Sequence, residues 1–451
     1  MKKIMIAAAS SGSGKTTITL GLLQLLQEQG LKVQPYKVGP DYVDTEYHTR
    51  ITGTASRNLD MFLIEDPERL RYLFEKEASQ ADICVIEGVM GLFDGLGSDK
   101  DCCSSAGVAK LLDCSVLLVV NGQSASTSVA ALVKGFAEFD PEIMLCGVVI
   151  NKVASENHYQ LIKKAVERYT SVPVMGYLQR NQSVELPSRQ LGLVPDREIE
   201  NVLTKIDQVA EAMAQTIDLT SLLTSLPEET IHFTPESYPQ YPEVTVAYAL
   251  DEAFHFYYQD NLELLAAYGV KLVDFSPLTD SQLPEADLYY FGGGYPEEFA
   301  VGLASNTSMR TDIREKHAAG AFILAECGGL MYLGSDLHYQ NQTYPMVGIF
   351  SGVSEMTPRL KRFGYCYGEM LQDTLLGKKG SVVAGHEFHH SQFETVEPTV
   401  MTMTKERDGE VVSTWQGGYQ KKNTFASYLH LHFYQQKEFL PDLLEQVRGS
   451  R

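Results

Sequence analysis

Lys3-Ile-Met-Ile-Ala-Ala-Ala-Ser-Ser-Gly-Ser-Gly-Lys-Thr16 is an apolar run that ends in a glycine-rich loop, and from Thr17 onward the apolar residues recur at helical spacing. Strand, loop and helix in that order bring backbone N–H groups close to phosphate oxygens. Lys15 reaches the β and γ phosphates and the Thr16 hydroxyl can ligate Mg2+. Gly12, Ser13, Gly14, Lys15, Thr16 and Thr17 are therefore the candidate nucleotide-binding residues. One position departs from G-x-x-x-x-G-K-[ST]: Ala9 stands where the first Gly belongs.

Working outward, near-continuous apolar runs recur at residues 82–87, 115–121 and 145–151, with helical spacing at 14–29 and 124–139. Buried strands alternating with amphipathic helices predict a doubly wound α/β domain, a parallel sheet covered on both faces. Residues 215–242 turn rich in Thr, Ser, Glu and Pro, closing on Thr234-Pro-Glu-Ser-Tyr-Pro-Gln-Tyr-Pro242. That composition predicts a linker. The strand pattern restarts at 244–250, 271–275, 287–291 and 321–325, which predicts a second α/β domain. The division is 1–214, linker 215–242 and 243–451.

The 451 residues carry 37 Lys+Arg against 58 Asp+Glu, a net charge of −21. That balance argues against nucleic acid or an anionic membrane as partner, since both need clustered positive charge. An anionic small molecule needs only a local basic pocket. Seven Cys form no C-x-x-C pair, which reads as reduced thiol usage and a cytoplasmic protein. The opening apolar run is too short for a signal peptide, and none approaches the ~18 apolar residues of a membrane span.

Acidic groups gather near the loop. The strand Ile83-Cys-Val-Ile86 ends in Glu87, and Asp94 follows in Gly88-Val-Met-Gly-Leu-Phe-Asp94. Lys37-Val-Gly-Pro-Asp41-Tyr-Val-Asp44 and Arg57-Asn-Leu-Asp60 follow other strands. Carboxylates at strand ends beside a phosphate loop mark where Mg2+ and a reacting oxygen sit. Asn151 closes its strand either to read an adenine base or as a turn residue.

A second centre lies in Gly320-Ala-Phe-Ile-Leu-Ala-Glu-Cys327-Gly-Gly, a hydrophobic strand, then Cys, then glycines opening a helix. A nucleophile on such a turn is exposed, and the helix N-terminus favours its thiolate. The N–H of Gly328, with Gly293 and Gly294 of the Gly292-Gly-Gly294 loop, can form an oxyanion hole. The base comes from Ser427-Tyr-Leu-His430-Leu-His432. His386-Glu-Phe-His-His390 fits the zinc pattern H-E-x-x-H, but its surroundings predict a strand, where i and i+4 side chains are too far apart to share a metal.

The set SGSGKTT, KVGPDY, NLD, VIEGVMGLFDG, GGGYPE, AECGGLMYL, GHEFHHS and SYLHLHF, in this order, resembles the cobyrinic acid a,c-diamide synthase family across essentially the whole chain. The resemblance implies a dethiobiotin-synthetase-like ATPase domain joined to a C-terminal class I-type glutamine amidotransferase domain. It implies glutamine- and ATP-dependent amidation of carboxylates a and c of cobyrinic acid in cobalamin synthesis, through acyl phosphates, with Mg2+. Lys15 and Thr16 would bind ATP and Mg2+, with Asp41 and Glu87 as metal partners. Asp44 and Asp94 would shape the substrate and acyl-phosphate site, with Lys37 and Arg57 supplying positive charge for a polycarboxylate. Cys327 would form the thioester and His430 would be base and acid. Hydrogenobyrinic acid and nickel-sirohydrochlorin are alternative substrates, and a regulatory or partitioning ATPase is the alternative of another class. A homodimer is left open. Related amidotransferases carry His-x-Glu where this chain has His430-Leu-His432, so the residue that orients the base is unassigned. Ser10 replaces the second lysine of partition-type relatives.

Overall fold

The structure is a computed structural model that describes residues 1–180 and 196–449. The chain divides into two compact units, Met1–Met61 with Asp66–Pro235, and Phe62–Glu65 with Glu236–Arg451.

In the first unit strands and helices alternate: β1 (Lys2–Ala8), α1 (Lys15–Glu28), β2 (Val33–Val38), α2 (Tyr42–Thr52), β3 (Arg57–Leu59), α3 (Pro67–Ala78), β4 (Ile83–Glu87) and α4 (Ser105–Leu111). They continue as β5 (Ser115–Asn121), α5 (Ser128–Phe139), β6 (Leu145–Val153), α6 (Glu156–Tyr169), β7 (Val174–Gln179), α7 (Asp196–Thr216) and α8 (Leu219–Ser225). The sheet order is β3-β2-β4-β1-β5-β6-β7, parallel throughout. The strands are apolar because helices cover both faces. Register sets Lys37 and Ile6 beside Glu87, so three strand ends meet next to the loop after β1.

Helix α1 buries Ile18, Leu22 and Leu25 in one core with Val209 and Met213 of α7. Gly21 permits that approach, since a Cβ there would collide with Met213. Within the stretch read as linker, α8 adds Leu222, and Leu226 follows it into the same core. Lys2 Nζ donates to the carbonyls of Leu223 and Leu226 at 2.9 and 3.1 Å. A Thr/Ser-rich helix of one polar and one apolar face has little compositional signal of its own.

The second unit comprises β8 (Thr245–Ala249), β9 (Phe254–Phe256), α9 (Gln259–Ala267), β10 (Lys271–Phe275), β11 (Leu288–Phe291), β12 (Gly293–Gly294), α10 (Ala300–Ser305), α11 (Thr307–Ala318), β13 (Phe322–Glu326) and α12 (Gly328–Leu333). Then come β14 (Asp336–Tyr339), β15 (Gln342–Pro345), β16 (Gly352–Met356), β17 (Arg362–Met370), β18 (Val382–His389), β19 (Ser391–Thr395), β20 (Thr399–Arg407), β21 (Glu410–Lys421), β22 (Thr424–Ser427) and α13 (Phe439–Arg448). The main sheet runs β10-β8-β11-β13-β22-β21-β20-β17-β18. Its first five strands are parallel and its last four antiparallel. β13 and β22 are neighbours, pairing Glu326 with Ser427.

Candidate active sites

In the first unit the chain reverses through Gly12 and Gly14, whose φ of 78° and 91° suit glycine. A Cβ on Gly14 would collide with the Asn151 amide. Asn151 Nδ2 donates to the Ser13 carbonyl at 2.9 Å, and its Oδ1 accepts from Lys152 N at 2.8 Å. Lys152 Nζ donates to the Gly12 carbonyl at 3.0 Å. The end of β6 therefore braces the loop through Asn151 Nδ2 and Lys152 Nζ, while Asn151 Oδ1 is held by the neighbouring backbone. Ser13 Oγ sits 3.3 Å from Ser10 Oγ. Thr17 lies in the first turn of α1, after Lys15 and Thr16.

Glu87, with no exposed surface, is the hub of the site. Its Oε1 accepts from Thr16 Oγ1 at 2.6 Å, Lys15 Nζ at 3.0 Å and Lys37 Nζ at 3.2 Å. Its Oε2 lies 2.9 Å from His48 Nε2. Lys37 also pairs with Asp44 at 2.6 Å. Burial would push the Glu87 carboxyl up, but Lys15, Lys37 and His48 hold it well below the usual range. Burial would likewise pull Lys37 down, and Asp44 and Glu87 overcome it, keeping that ammonium charged. At Lys15 burial prevails and lowers the ammonium despite Glu87.

The structure thus brings together Lys15, Thr16, Lys37, Asp44 and Glu87. Asp41 stands at their edge: its Oδ1 caps α2, accepting from Val43 N and Asp44 N at 2.8 and 3.2 Å, while its charge still acts on Lys37. Arg57 is not brought in. It pairs across β3 with Tyr36, not Lys37, and its guanidinium meets Glu77 of α3 at 3.4 Å. Alternation along a strand sends neighbours to opposite faces. Asp94 is exposed and accepts from Gly91 N at 3.0 Å. Sequence reasoning missed His48, although it stands four residues after Asp44 on α2, on the same helical face.

In the second unit Cys327 joins β13 to α12 with φ 47° and ψ −101°. A non-glycine residue held there costs ~1–3 kcal/mol, and the surrounding bonds fix it: Cys327 N donates to the Ser427 carbonyl at 2.7 Å. Cys327 is 7% exposed. Burial raises it above its ordinary value, and the nearby carboxyls of Glu297, Glu387 and Glu326 add to the rise. Burial also pushes Glu297 up to about 7. A thiol so placed keeps its proton until a base removes it.

His430 follows β22 and is pinned by a two-way bridge to β18. His386 N donates to the His430 carbonyl at 3.2 Å, and His430 N to the His386 carbonyl at 3.0 Å. Its ring lies over Gly293, where a Cβ would collide with Cε1 and come 3.3 Å from Nε2. Gly294, paired with Phe254 of β9, approaches Gly328 so closely that a Cβ on Gly328 would lie 3.2 Å from Gly294 N. The glycines read as an oxyanion hole thus converge on the thiol turn and the imidazole. Gly293→Ala should displace His430 and lower glutaminase turnover by about 100-fold. Steady-state glutamine hydrolysis checks this.

His432 is turned elsewhere: its Nδ1 accepts from Tyr434 N at 3.3 Å, its ring packs on Tyr258, and burial pulls it down to about 3. The His386–His390 stretch lies on and just past β18, a strand.

A phosphate-activating centre in one unit and a thiol–imidazole centre in the other define an ATP-dependent amidoligase that draws its nitrogen from glutamine. Residues 4–194 match the CobQ/CobB/MinD/ParA nucleotide binding domain, and residues 245–438 the CobB/CobQ-like glutamine amidotransferase domain. Cobyrinate a,c-diamide synthase of Listeria monocytogenes is 58% identical over 96% of this chain and 97% of its own. Those of Streptococcus sanguinis and Salmonella typhimurium are 54% and 49% identical, covering 100% and 98% of both chains. The chain belongs to the cobyrinate a,c-diamide synthase family.

Proposed function

We propose that this chain amidates carboxylates a and c of cobyrinic acid in the cytoplasm, with glutamine as nitrogen donor and ATP with Mg2+ as activator. The observation that carries the reading is the presence, in one chain of this family, of a lysine–threonine–carboxylate hub at a phosphate loop, and of a cysteine elbow and a buried histidine that share the Gly293–Gly294 loop.

A carboxylate resists ammonia because oxide is a poor leaving group. Transfer of the γ-phosphoryl group to a carboxylate oxygen releases ADP and leaves an acyl phosphate. Ammonia then displaces phosphate and gives the amide. Lys15 and the loop N–H groups hold the phosphate tail, and Lys37, kept charged by Asp44 and Glu87, faces the anionic reacting group. Thr16 Oγ1 and Glu87 Oε1, now hydrogen-bonded to each other, are oxygen donors of the kind Mg2+ takes. These two would hold the Mg2+, with Asp41 near them, and bound Mg2+ would neutralise charge on the β and γ phosphates. Asp44 and Asp94 belong to the substrate side of this reading, while Arg57 meets Glu77 instead.

Ammonia forms in the second unit. His430 takes the Cys327 proton, the thiolate attacks the glutamine amide carbon, and N–H groups of Gly328, Gly293 and Gly294 receive the oxyanion. His430 returns the proton to the departing ammonia, then activates the water that releases glutamate from the thioester.

The test is to incubate purified protein with ATP, Mg2+, glutamine and, separately, cobyrinic acid, hydrogenobyrinic acid and nickel-sirohydrochlorin, and to measure product masses. Two carboxylate-to-amide exchanges on cobyrinic acid are expected. Diamidation of another macrocycle with none on cobyrinic acid would overturn the substrate, and no glutaminase or amidation at all would overturn the enzyme reading.

A further inference from the structure

We propose that Glu326, the residue immediately before the nucleophile, is the positioning residue that fixes His430 for glutamine hydrolysis. The inference rests on the reading of Cys327 and His430 as the glutaminase pair.

The sequence leaves that role unassigned, since His432 stands two residues after His430. The structure gives His432 other partners: Tyr434 N donates to its Nδ1 and its ring packs on Tyr258. Glu326 Oε2 instead lies 3.6 Å from His430 Nδ1, with both side chains almost wholly buried. The carboxylate is itself held, since Tyr290 Oη donates to Oε1 at 2.9 Å and the Leu431 backbone also reaches it. The Cε1 edge of the imidazole lies over Gly293, with Nε2 and Nδ1 about equally near that glycine.

The two ring nitrogens thereby receive different tasks. A carboxylate facing Nδ1 favours the tautomer with its proton on Nδ1, which leaves the Nε2 lone pair to accept the thiol proton. Burial pushes the Glu326 carboxyl up, and His430, Tyr290 and the Leu431 backbone pull it back; as a carboxylate it stabilises the imidazolium formed by that transfer. Because Glu326 and Cys327 are consecutive, one strand end aims both groups. The Glu326↔Ser427 pairing and the His430–His386 bridge hold the imidazole to the same frame. A purely structural glutamate would have no reason to stand at the end of the apolar run Phe322-Ile-Leu-Ala325, where burying a carboxyl is costly.

The experiment compares Glu326→Gln, Tyr290→Phe, His432→Asn and Cys327→Ser in the full chain, measuring kcat and KM for glutamine beside ammonia-dependent amidation. Glu326→Gln keeps volume and removes the charge. It should lower glutaminase kcat by about 100-fold or more with KM within about threefold, while ammonia-dependent amidation stays within about twofold. Tyr290→Phe should lower kcat by several fold in the same pattern, and it decides the matter if Glu326→Gln does not fold. His432→Asn, which keeps the cap on Tyr434 N, should leave kcat within about threefold. Unchanged kcat in Glu326→Gln, a rise confined to KM, or a loss in His432→Asn as large as that in Glu326→Gln would overturn the proposal. Retained glutaminase in Cys327→Ser would instead sink the underlying Cys327–His430 reading, so the two failures are distinguishable.

Discussion

Cys327→Ser is expected to lose glutamine-dependent amidation by at least ~1,000-fold while keeping amidation driven by free ammonia. The hydroxyl is a poorer nucleophile than the thiolate, and the raised Cys327 thiol shows how much this site already asks of its base. Lys15, Thr16, Lys37 and Glu87 belong to the other compact unit. Parallel assays with glutamine and with ammonium chloride check it. If the ammonia-dependent reaction vanishes in a folded variant, the division of the reaction into two centres is wrong.

Lys15→Ala should have the opposite breadth, lowering amidation from either nitrogen source by at least ~100-fold. Neither source bypasses carboxylate activation, so supplying ammonia cannot rescue this variant. Removing Lys15 also leaves Glu87 with one fewer cation in a fully buried place, where an incompletely compensated carboxylate is costly. Circular dichroism must therefore accompany the assay. A folded variant with unchanged ATP-dependent product formation would remove Lys15 from the phosphate site.

Much of both centres was legible because local patterns carried them. The run from Lys3 to Thr16 specified strand, loop and helix, and observed β1 and α1 lie within a residue or two of that reading. Cys327 was legible for the same reason, since the apolar strand, the thiol and the glycines are contiguous. What escaped depended on strand register and on long-range pairing. Arg57 and Lys37 both read as positive charge near strand ends, yet the pleat of β3 sends Arg57 toward Glu77. Asn151 was visible as a strand-end amide, but its bond to the Ser13 carbonyl joins residues 138 positions apart. The pairing of the four antiparallel strands that extend the second sheet was equally hidden, although β18 itself read as a strand, because an alternating pattern specifies a strand and not its neighbour. Glu326 did leave a trace, a lone acidic residue closing an otherwise apolar strand.

The hub at Glu87 also sets the terms of anion selectivity in the first unit. Lys15, Thr16 and Lys37 already share one carboxylate oxygen, so an anion that recruits them competes with a resident rival. Its net gain is the difference between two holds on the same donors. A small, singly charged anion offers these donors little that Glu87 does not. A polyphosphate chelated to its own dication brings both a stronger claim on the lysines and a new partner for the displaced carboxylate. Internal rivalry of this kind discriminates against stray anions without any steric filter.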